Sequence, residues 1–207
     1  FAPISREGAL VVNNLFLTTA TATVLVGTLY PLVLEVLGGA KISVGEPFFN
    51  LTFGPLMVPL LFAVPFGPLL AWKRGDLLAA AQRLYFAIGA AMLTILIAVA
   101  LTSGTRILAA LGFGLAVWLM AGALTDLFVR ANFAKVGWRT GLARMRGLPR
   151  SAFGTVLAHF GLGVTVLGVI TASAFQTETV TAMRAGQTVN AGGYEVRYEG
   201  ACLLYTS

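Results

Sequence analysis

The stretch SAFGTVLAHFGLGVTVLGVITASA, residues Ser151–Ala174, contains no ionisable side chain other than one histidine, His159. An apolar helix needs about 20 residues to cross the hydrocarbon core of a membrane, at a rise of about 1.5 Å per residue. The stretch is therefore long enough and apolar enough to be a transmembrane helix. It predicts that lipid, rather than water, surrounds this part of the chain.

The composition of the whole chain supports the same interpretation. Of 207 residues, 57% are hydrophobic and 11% are charged, whereas roughly a quarter of the residues of an ordinary soluble domain are charged. Five apolar runs have the length of a membrane span: about residues 10–37, 51–72, 84–101, 107–129 and 151–174. We therefore predict an all-α polytopic membrane protein, with about five transmembrane helices in a membrane domain over residues 1–174.

Prolines predict an irregular second span. This run, residues 51–72, carries Pro55, Pro59, Pro65 and Pro68. Each proline lacks an amide hydrogen, so the carbonyls that it leaves unpaired need partners inside the protein. We expect this helix to be kinked and packed among its neighbours, and the open alternative is a merely irregular helix. Pro31 is expected to bend or end the first span.

The basic residues predict the orientation. Ten of the fourteen fall on one side of the predicted spans: Arg6, Lys73, Arg74, Arg83, Arg130, Lys135, Arg139, Arg144, Arg146 and Arg150. By the positive-inside rule this side is cytoplasmic, so the chain starts inside, crosses five times and ends outside. The net charge of +6 is then a topology signal rather than a nucleic-acid site.

The two ends of the chain differ from the apolar body. The first residues, FAPISREG, resemble neither a start nor a signal peptide, so we expect a piece of a longer protein. Residues 175–201 are polar and glycine-punctuated, and the alternating stretches VTAM (180–183) and YEVRY (194–198) predict strands at the start of a small extracytoplasmic β-rich domain. The run 202–207 resembles a sequencing read-through. Without its Cys202 the chain has no cysteine, which excludes thiolate chemistry.

His159 is the candidate functional residue. It lies about 12 Å along its helix from Ser151, which predicts a position inside the hydrocarbon. Ionisable groups at such depth are rare and mark functional sites by default, and a neutral imidazole binds metals through one ring nitrogen. The alternative is a histidine that is hydrogen-bonded to a neighbouring helix.

The helix around His159 favours a planar ligand. At about 100° per residue, its face includes Ala152, Thr155, Gly163, Val166 and Ile170. Gly163 is expected to leave a gap for a flat group, and Thr155 to bond within the helix or to orient the imidazole. Gly154, Gly161 and Gly168 on the opposite face are expected to let another helix approach. Haem is the planar ligand that imidazole most often serves, and a membrane b-type haem commonly takes two histidines.

Three strings, in order along the chain, resemble the haem lyase subunit family CcmF of bacterial cytochrome c maturation. They are FAPISREGALVVNN (Phe1–Asn14), KISVGEPFFN (Lys41–Asn50) and LAHFGLGVTVLG (Leu157–Gly168). The resemblance extends from Phe1 to about Gly200 and covers the C-terminal part of that family. The NrfE paralogues are similar to the chain as well.

The resemblance implies an enzyme, a haem lyase of the bacterial inner membrane. Members of this family take haem from a periplasmic haem chaperone and attach it to the CxxCH motif of apocytochrome c. They also hold a haem b on two membrane histidines, and His159 matches the C-terminal one, as axial ligand to the haem iron. The implied partners are CcmH- and CcmI-like subunits that handle apocytochrome, with a quinol as a further candidate. The family's tryptophan-rich motif lies upstream, so we expect the chain alone to be inactive and its catalytic residues to lie elsewhere.

Two other functions stay open from the residues alone. A membrane transporter or channel subunit would explain the proline-rich span but predicts inverted repeats, which the sequence lacks. A non-catalytic membrane scaffold would explain the polar tail but not His159.

Three weaker expectations concern other polar positions. Asp126 is expected to form an ion pair with Arg130, four residues later. Asn13 and Asn14 are expected to hydrogen-bond across helices. The stretch Lys41–Asn50 is expected to be an external loop with aromatic anchors.

Overall fold

The computed structural model describes residues 3–39, 41–176 and 178–201. Within these ranges it contains α1 (Arg6–Val36), α2 (Glu46–Ala63), a 3₁₀ helix (Val64–Leu69), α3 (Leu77–Arg83), α4 (Tyr85–Leu101), α5 (Ile107–Ala131), α6 (Phe133–Arg146), α7 (Arg150–Phe175), β1 (Thr188–Ala191) and β2 (Tyr194–Arg197). The chain divides into two compact units, Phe1–Ile170 and Thr171–Ser207.

The helices of the first unit have the length and hydropathy of membrane spans. Four qualify in the described part of the chain: Arg6–Val36, Pro47–Leu69, Ile107–Ala131 and Arg150–Phe175. Helices α3 and α4 meet at a bend of 63° and make a fifth if the pair is one span. The predicted fold class, a helical multi-pass membrane protein with a small β element, is confirmed.

Helix α1 is capped at its start and runs through its proline. The buried hydroxyl of Ser5 accepts a hydrogen bond from the amide of Gly8 at 3.0 Å, which satisfies one free donor of the first turn. The expectation that Pro31 could end this helix is wrong, because the helix continues to Val36. In apolar surroundings, breaking the helix would leave still more backbone groups without partners.

The second span changes helix type at its proline-rich end. The α-helix gives way at Val64 to a 3₁₀ helix that contains Pro65 and Pro68. The indole nitrogen of Trp118, on α5, donates a hydrogen bond of 3.0 Å to the carbonyl oxygen of Phe62 at this junction. The predicted irregularity is therefore present, and a neighbouring helix supplies the hydrogen bond.

The end of the second span lies beside the start of α1. The amide of Arg6 donates to the carbonyl of Ala71 at 3.0 Å, and the amide of Gly75 donates to the carbonyl of Ile4 at 2.8 Å. These two bonds place the beginning of the first span and the end of the second at the same end of the helices. That is the arrangement which alternating crossings require.

Helix α5 is the centre of the first unit. Its span window is 39% buried, against 6–11% for the other three spans. Trp118 and Leu119 form a core with Leu61, Leu84, Ala87 and Ala91. Glycines allow the close packing, since Gly112 lies against Ile170 and Gly122 against Pro65.

Helix α6 follows α5 and precedes α7 along the chain. The sequence predicted only a basic connection in this stretch. Asn132 ends α5 in the left-handed conformation (φ 59°), and Gly137 (φ 77°, ψ 169°) interrupts α6 near its start. The rest of α6 is a short helix rich in arginine.

The second unit contains an antiparallel hairpin. Strand β1 pairs with β2 from Thr188↔Arg197 to Ala191↔Tyr194, and Gly192 and Gly193 between them have positive φ angles of 61° and 86°. Such a two-residue turn joins strands that directly flank it. The strand predicted at YEVRY is therefore present over Tyr194–Arg197, whereas the one predicted at VTAM (180–183) is wrong, since that stretch is not a strand and TVNA takes its place.

Candidate functional site: a cleft beside His159

His159 opens on a cleft of about 320 Å³ between α1, the second span and α7. Most of the wall is apolar and includes Leu60, Ala63 and Val64. Four polar side chains also line it: Arg6, Asn13, Thr155 and His159. Pockets for small organic ligands are mostly apolar with a few placed polar groups, and they measure about 300–1,000 Å³. The cleft fits this description at its smaller end.

Thr155 shares the cleft with His159, as the helical periodicity predicted. Its hydroxyl donates a hydrogen bond of 3.0 Å to the carbonyl of Ser151, which is one of the two roles expected for it. The hydroxyl proton is thereby used inside α7. The oxygen of Thr155 still has a lone pair to present to the cleft.

The packing around Gly163 differs from the expectation. A side-chain carbon at this position would lie 2.6 Å from Cγ of Met120 and 2.9 Å from the carbonyl oxygen of Ala116. The space above His159 that Gly163 was expected to leave for a flat ligand is therefore filled by α5. Gly163 lets α7 pack closely on α5, which determines where His159 stands.

The opposite face of α7 also differs from the expectation. The glycines there were predicted to admit another helix, but no atom lies within 4 Å of a side-chain carbon built at Gly154, Gly161 or Gly168. Within the described residues this face is open. The close helix contact is on the His159 side instead.

An ion pair with a buried carboxylate lies on α5. Asp126 is 3% exposed, and the Nε of Arg130 donates to both carboxylate oxygens at 2.9 Å. The predicted i, i+4 pair is confirmed.

Arg6 and Asn13 were not singled out as site residues from the sequence. The guanidinium carbon of Arg6 lies 5.1 Å from the centre of the Trp72 ring, a cation–π contact, and Arg6 reaches the cleft from the first turn of α1. The signal that could have found it is a cation directly after the helix cap Ser5. Asn13 donates to Asn14 at 3.5 Å rather than across helices, so the expected interhelical bond is absent from the described residues.

The stretch Lys41–Asn50 is only partly a loop. Helix α2 already begins at Glu46, after the cap residue Gly45. The rings of Phe48 and Phe49 meet edge to face at 5.3 Å and pack on Gly27 of α1. The aromatic anchors therefore also fasten α2 to α1, at the end of the helices away from Arg6.

Among the residues that line the cleft, His159 is the side chain that can bind a metal ion. No group of three or more His, Cys, Asp or Glu side chains occurs together in the part of the chain that is described. A haem iron needs only one or two protein ligands, because the porphyrin supplies four. One imidazole in an apolar cleft therefore fits half of a two-histidine haem site, and the sequence has no second histidine.

Comparisons with known proteins identify the relatives of the chain. It is 60% identical over 200 residues to the cytochrome c-type biogenesis protein CycK of Rhizobium meliloti (strain 1021), covering 97% of this chain and 30% of that protein. It is 37% identical over 217 residues to CcmF of Pseudomonas aeruginosa, with coverage of 97% and 30%. It is 28% identical over 201 residues to NrfE of Haemophilus influenzae, with coverage of 96% and 29%.

The chain thus spans about 30% of the length of the curated relatives that it matches. No protein-family model matches it, and no solved structure does. The identities nevertheless extend over nearly the whole chain. By sequence, the chain is homologous over nearly its whole length to the cytochrome c biogenesis proteins named CycK, CcmF and NrfE.

Proposed function

We propose that the chain is part of a membrane haem lyase that matures cytochrome c, and that His159 is one axial ligand of a haem b. The observation that carries the proposal is the position of the chain's one histidine, which lies on an apolar helix and opens on a mostly apolar cleft. The names of the relatives, all cytochrome c biogenesis proteins, support the same function.

Each residue near the cleft has a distinct role in this proposal. His159 binds the iron through one ring nitrogen, and Thr155 shapes the wall one turn below. Gly163 acts through packing, because its contact with α5 sets the position of the His159 helix. A bound haem b would supply one-electron chemistry, and the apolar wall of Leu60, Ala63 and Val64 would exclude water from it.

Arg6 gives the cleft a positive end. A haem has an apolar ring and two acidic propionates, so an apolar wall with one guanidinium at its border matches its chemistry. The ring contact with Trp72 holds that guanidinium in place. We propose Arg6 as the partner of a ligand carboxylate.

The remaining expectations stand as proposals about the whole protein. It lies in the bacterial inner membrane with the start of α1 in the cytoplasm, and residues 175–201 belong to a periplasmic domain. Its partners are a periplasmic haem chaperone, CcmH- and CcmI-like subunits, apocytochrome c and, as electron donor, a quinol. Attachment of haem to a CxxCH motif is the activity of the complete protein, with its catalytic residues and second histidine outside residues 1–207.

The test is an absorption spectrum of the complete protein that carries this chain. We expect a reduced-minus-oxidised spectrum of six-coordinate haem b, and we expect His159→Ala to abolish or shift it, since the iron loses an axial ligand. Thr165→Val is the control on the same helix. Thr165 is exposed, and its hydroxyl donates a hydrogen bond of 3.0 Å to the carbonyl of Gly161, as the hydroxyl of Thr155 does to the carbonyl of Ser151. The control should keep the parental spectrum.

Two outcomes would contradict the proposal at different levels. An unchanged six-coordinate signal in His159→Ala would remove His159 as the ligand but leave the lyase function standing. A complete protein that never contains haem would contradict the haem-binding function itself.

A further inference from the structure

Helix α6 carries a concentration of positive charge without acidic neighbours. Between Asp126 and Glu178 the sequence contains no acidic residue. The same interval contains six basic residues: Arg130, Lys135, Arg139, Arg144, Arg146 and Arg150. Only Arg130 has an acidic partner among the described residues, namely Asp126. The other five are exposed, so their charges are available to something outside the chain.

The apolar face of α6 is only partly covered by protein. Trp138, Leu142 and Met145 follow each other at the i, i+4, i+7 spacing and share one face of the helix after Gly137. Leu142 and Met145 are half-buried, but Trp138 is 69% exposed. Arg139 and Arg146 flank this face on one side and Arg144 on the other.

The position of α6 in the chain restricts what can cover this face. The helix joins two membrane spans, α5 and α7, so both of its ends are held at the same membrane surface. Ring contacts link Phe133 to Phe128 of α5 at 5.0 Å and to Trp138 at 5.2 Å. A helix that is fastened to a span end, with arginines beside an apolar face, matches an interfacial amphipathic helix.

We propose that α6 lies in the headgroup layer of the membrane and binds anionic phospholipid headgroups with Arg139, Arg144 and Arg146. Trp138 enters the boundary between headgroups and acyl chains, where tryptophan is preferred. The arginines extend outward from this depth to the phosphates, their apolar stems covering the helix surface. The positive-inside rule requires only that this side of the membrane carry positive charge. The proposed site goes further, because Arg139, Arg144 and Arg146 would contact anionic lipid in preference to neutral lipid.

The experiment measures lipid selectivity of the complete protein in phosphatidylcholine vesicles. Trace spin-labelled phosphatidylglycerol or spin-labelled phosphatidylcholine is added, and electron spin resonance gives the fraction of each lipid immobilised by the protein. A basic side chain at an anionic surface favours binding by about fivefold. We expect phosphatidylglycerol to be preferred, and the triple variant Arg139→Gln/Arg144→Gln/Arg146→Gln to lower the preference by about fivefold or more.

The matched control removes the same charge elsewhere. Lys41, Arg184 and Arg197 are also exposed, and the variant Lys41→Gln/Arg184→Gln/Arg197→Gln should keep the preference. If both triple variants lost the phosphatidylglycerol preference equally, net charge alone would explain the preference, and the proposed site would be overturned. No preference in the parent protein would overturn it as well, and would favour an acidic protein partner at this surface.

A second measurement does not depend on the folding of the triple arginine variant. A nitroxide is attached at Trp138→Cys or at Arg144→Cys, each in a Cys202→Ser background, in the reconstituted protein. We expect the label at 138 to be relaxed more by oxygen, which dissolves in the bilayer, and the label at 144 more by a water-soluble nickel chelate. Dominant nickel relaxation at both positions would place α6 in water and overturn the proposal.

Discussion

Gly163 shows how one residue determines the place of the candidate ligand. The backbone of α7 approaches α5 here so closely that even a methyl group would meet the carbonyl oxygen of Ala116 at 2.9 Å. A backbone oxygen in a helix cannot rotate away as a side chain can. Any side chain at this position must therefore separate the two helices, four residues along from His159.

We predict that Gly163→Ala destabilises the protein by about 1–3 kcal/mol, the usual cost of overpacking a well-packed contact. The measurement is the unfolding midpoint of the purified protein in detergent micelles. Gly161→Ala is the matched control, since no atom lies within 4 Å of a side-chain carbon built there, and alanine is the better helix former. Equal stability of the two variants would show that α7 does not pack on α5 through Gly163.

The sequence predicted which residues share the His159 face but not what lies opposite them. Periodicity alone placed Thr155 and Gly163 beside His159, because a helix repeats every 3.6 residues. A glycine can leave a gap or admit a neighbour, and the local pattern is the same in both cases. The contact with Met120 depends on how α5 and α7 come together, which a single helix does not encode.

At the scale of elements, the second span is held together by a hydrogen bond from another helix. Trp118 donates its indole N–H to the carbonyl of Phe62, and its ring stacks on that of Phe62 with centres 5.5 Å apart. The change from α to 3₁₀ geometry at Val64 is thereby compensated from α5. The tryptophan itself is 3% exposed, so its ring is fixed in the core of the first unit.

We predict that Trp118→Phe lowers the free energy of unfolding by about 1–3 kcal/mol, because the partly buried carbonyl of Phe62 loses its hydrogen-bond donor. Denaturant titration in micelles measures this. Trp138→Phe is the control with the same change of side chain at an exposed position, and it should stay within about 0.5 kcal/mol of the parent. A comparable loss in both variants would assign the effect to ring size rather than to the hydrogen bond.

Elements whose local signals agree were predicted correctly, and those that depend on competing signals were not. The apolar spans follow from length and hydropathy, and the turn at Gly192-Gly193 could have revealed the hairpin partner TVNA, because such turns join directly adjacent strands. Helix α6 was not predicted, because its sequence has only a short apolar pattern and contains glycines at 137, 141 and 147. Gly137 interrupts the helix and Gly147 caps its end, whereas Gly141 is buried under the ring of Phe133.

At the scale of the whole molecule, most basic residues lie at the same end of the membrane spans. Hydrogen bonds join Ile4 and Arg6 to the segment after the second span, so the start of α1 and the residues Lys73 and Arg74 lie at one end of the helices. If α3 and α4 form one span, alternation brings α6 to the same end. Nine of the ten basic residues of the predicted cytoplasmic side then lie at one end, as the positive-inside rule expects. The tenth, Arg83, ends α3 at the bend between the two helices.

This arrangement predicts the outcome of cysteine labelling in intact cells. In a Cys202→Ser background of the complete protein, Arg144→Cys should be protected from a membrane-impermeant thiol reagent until the cells are opened. Glu199→Cys is the matched position in the second unit and should react at once, because it lies beyond the last span. Immediate reaction at position 144 with protection at 199 would reverse the predicted direction of α7, whereas the same behaviour at both positions would mean that α7 does not cross the membrane. A re-entrant bent pair α3–α4 would also place position 144 outside and position 199 inside, since it is the one candidate span that needs two helices to cross.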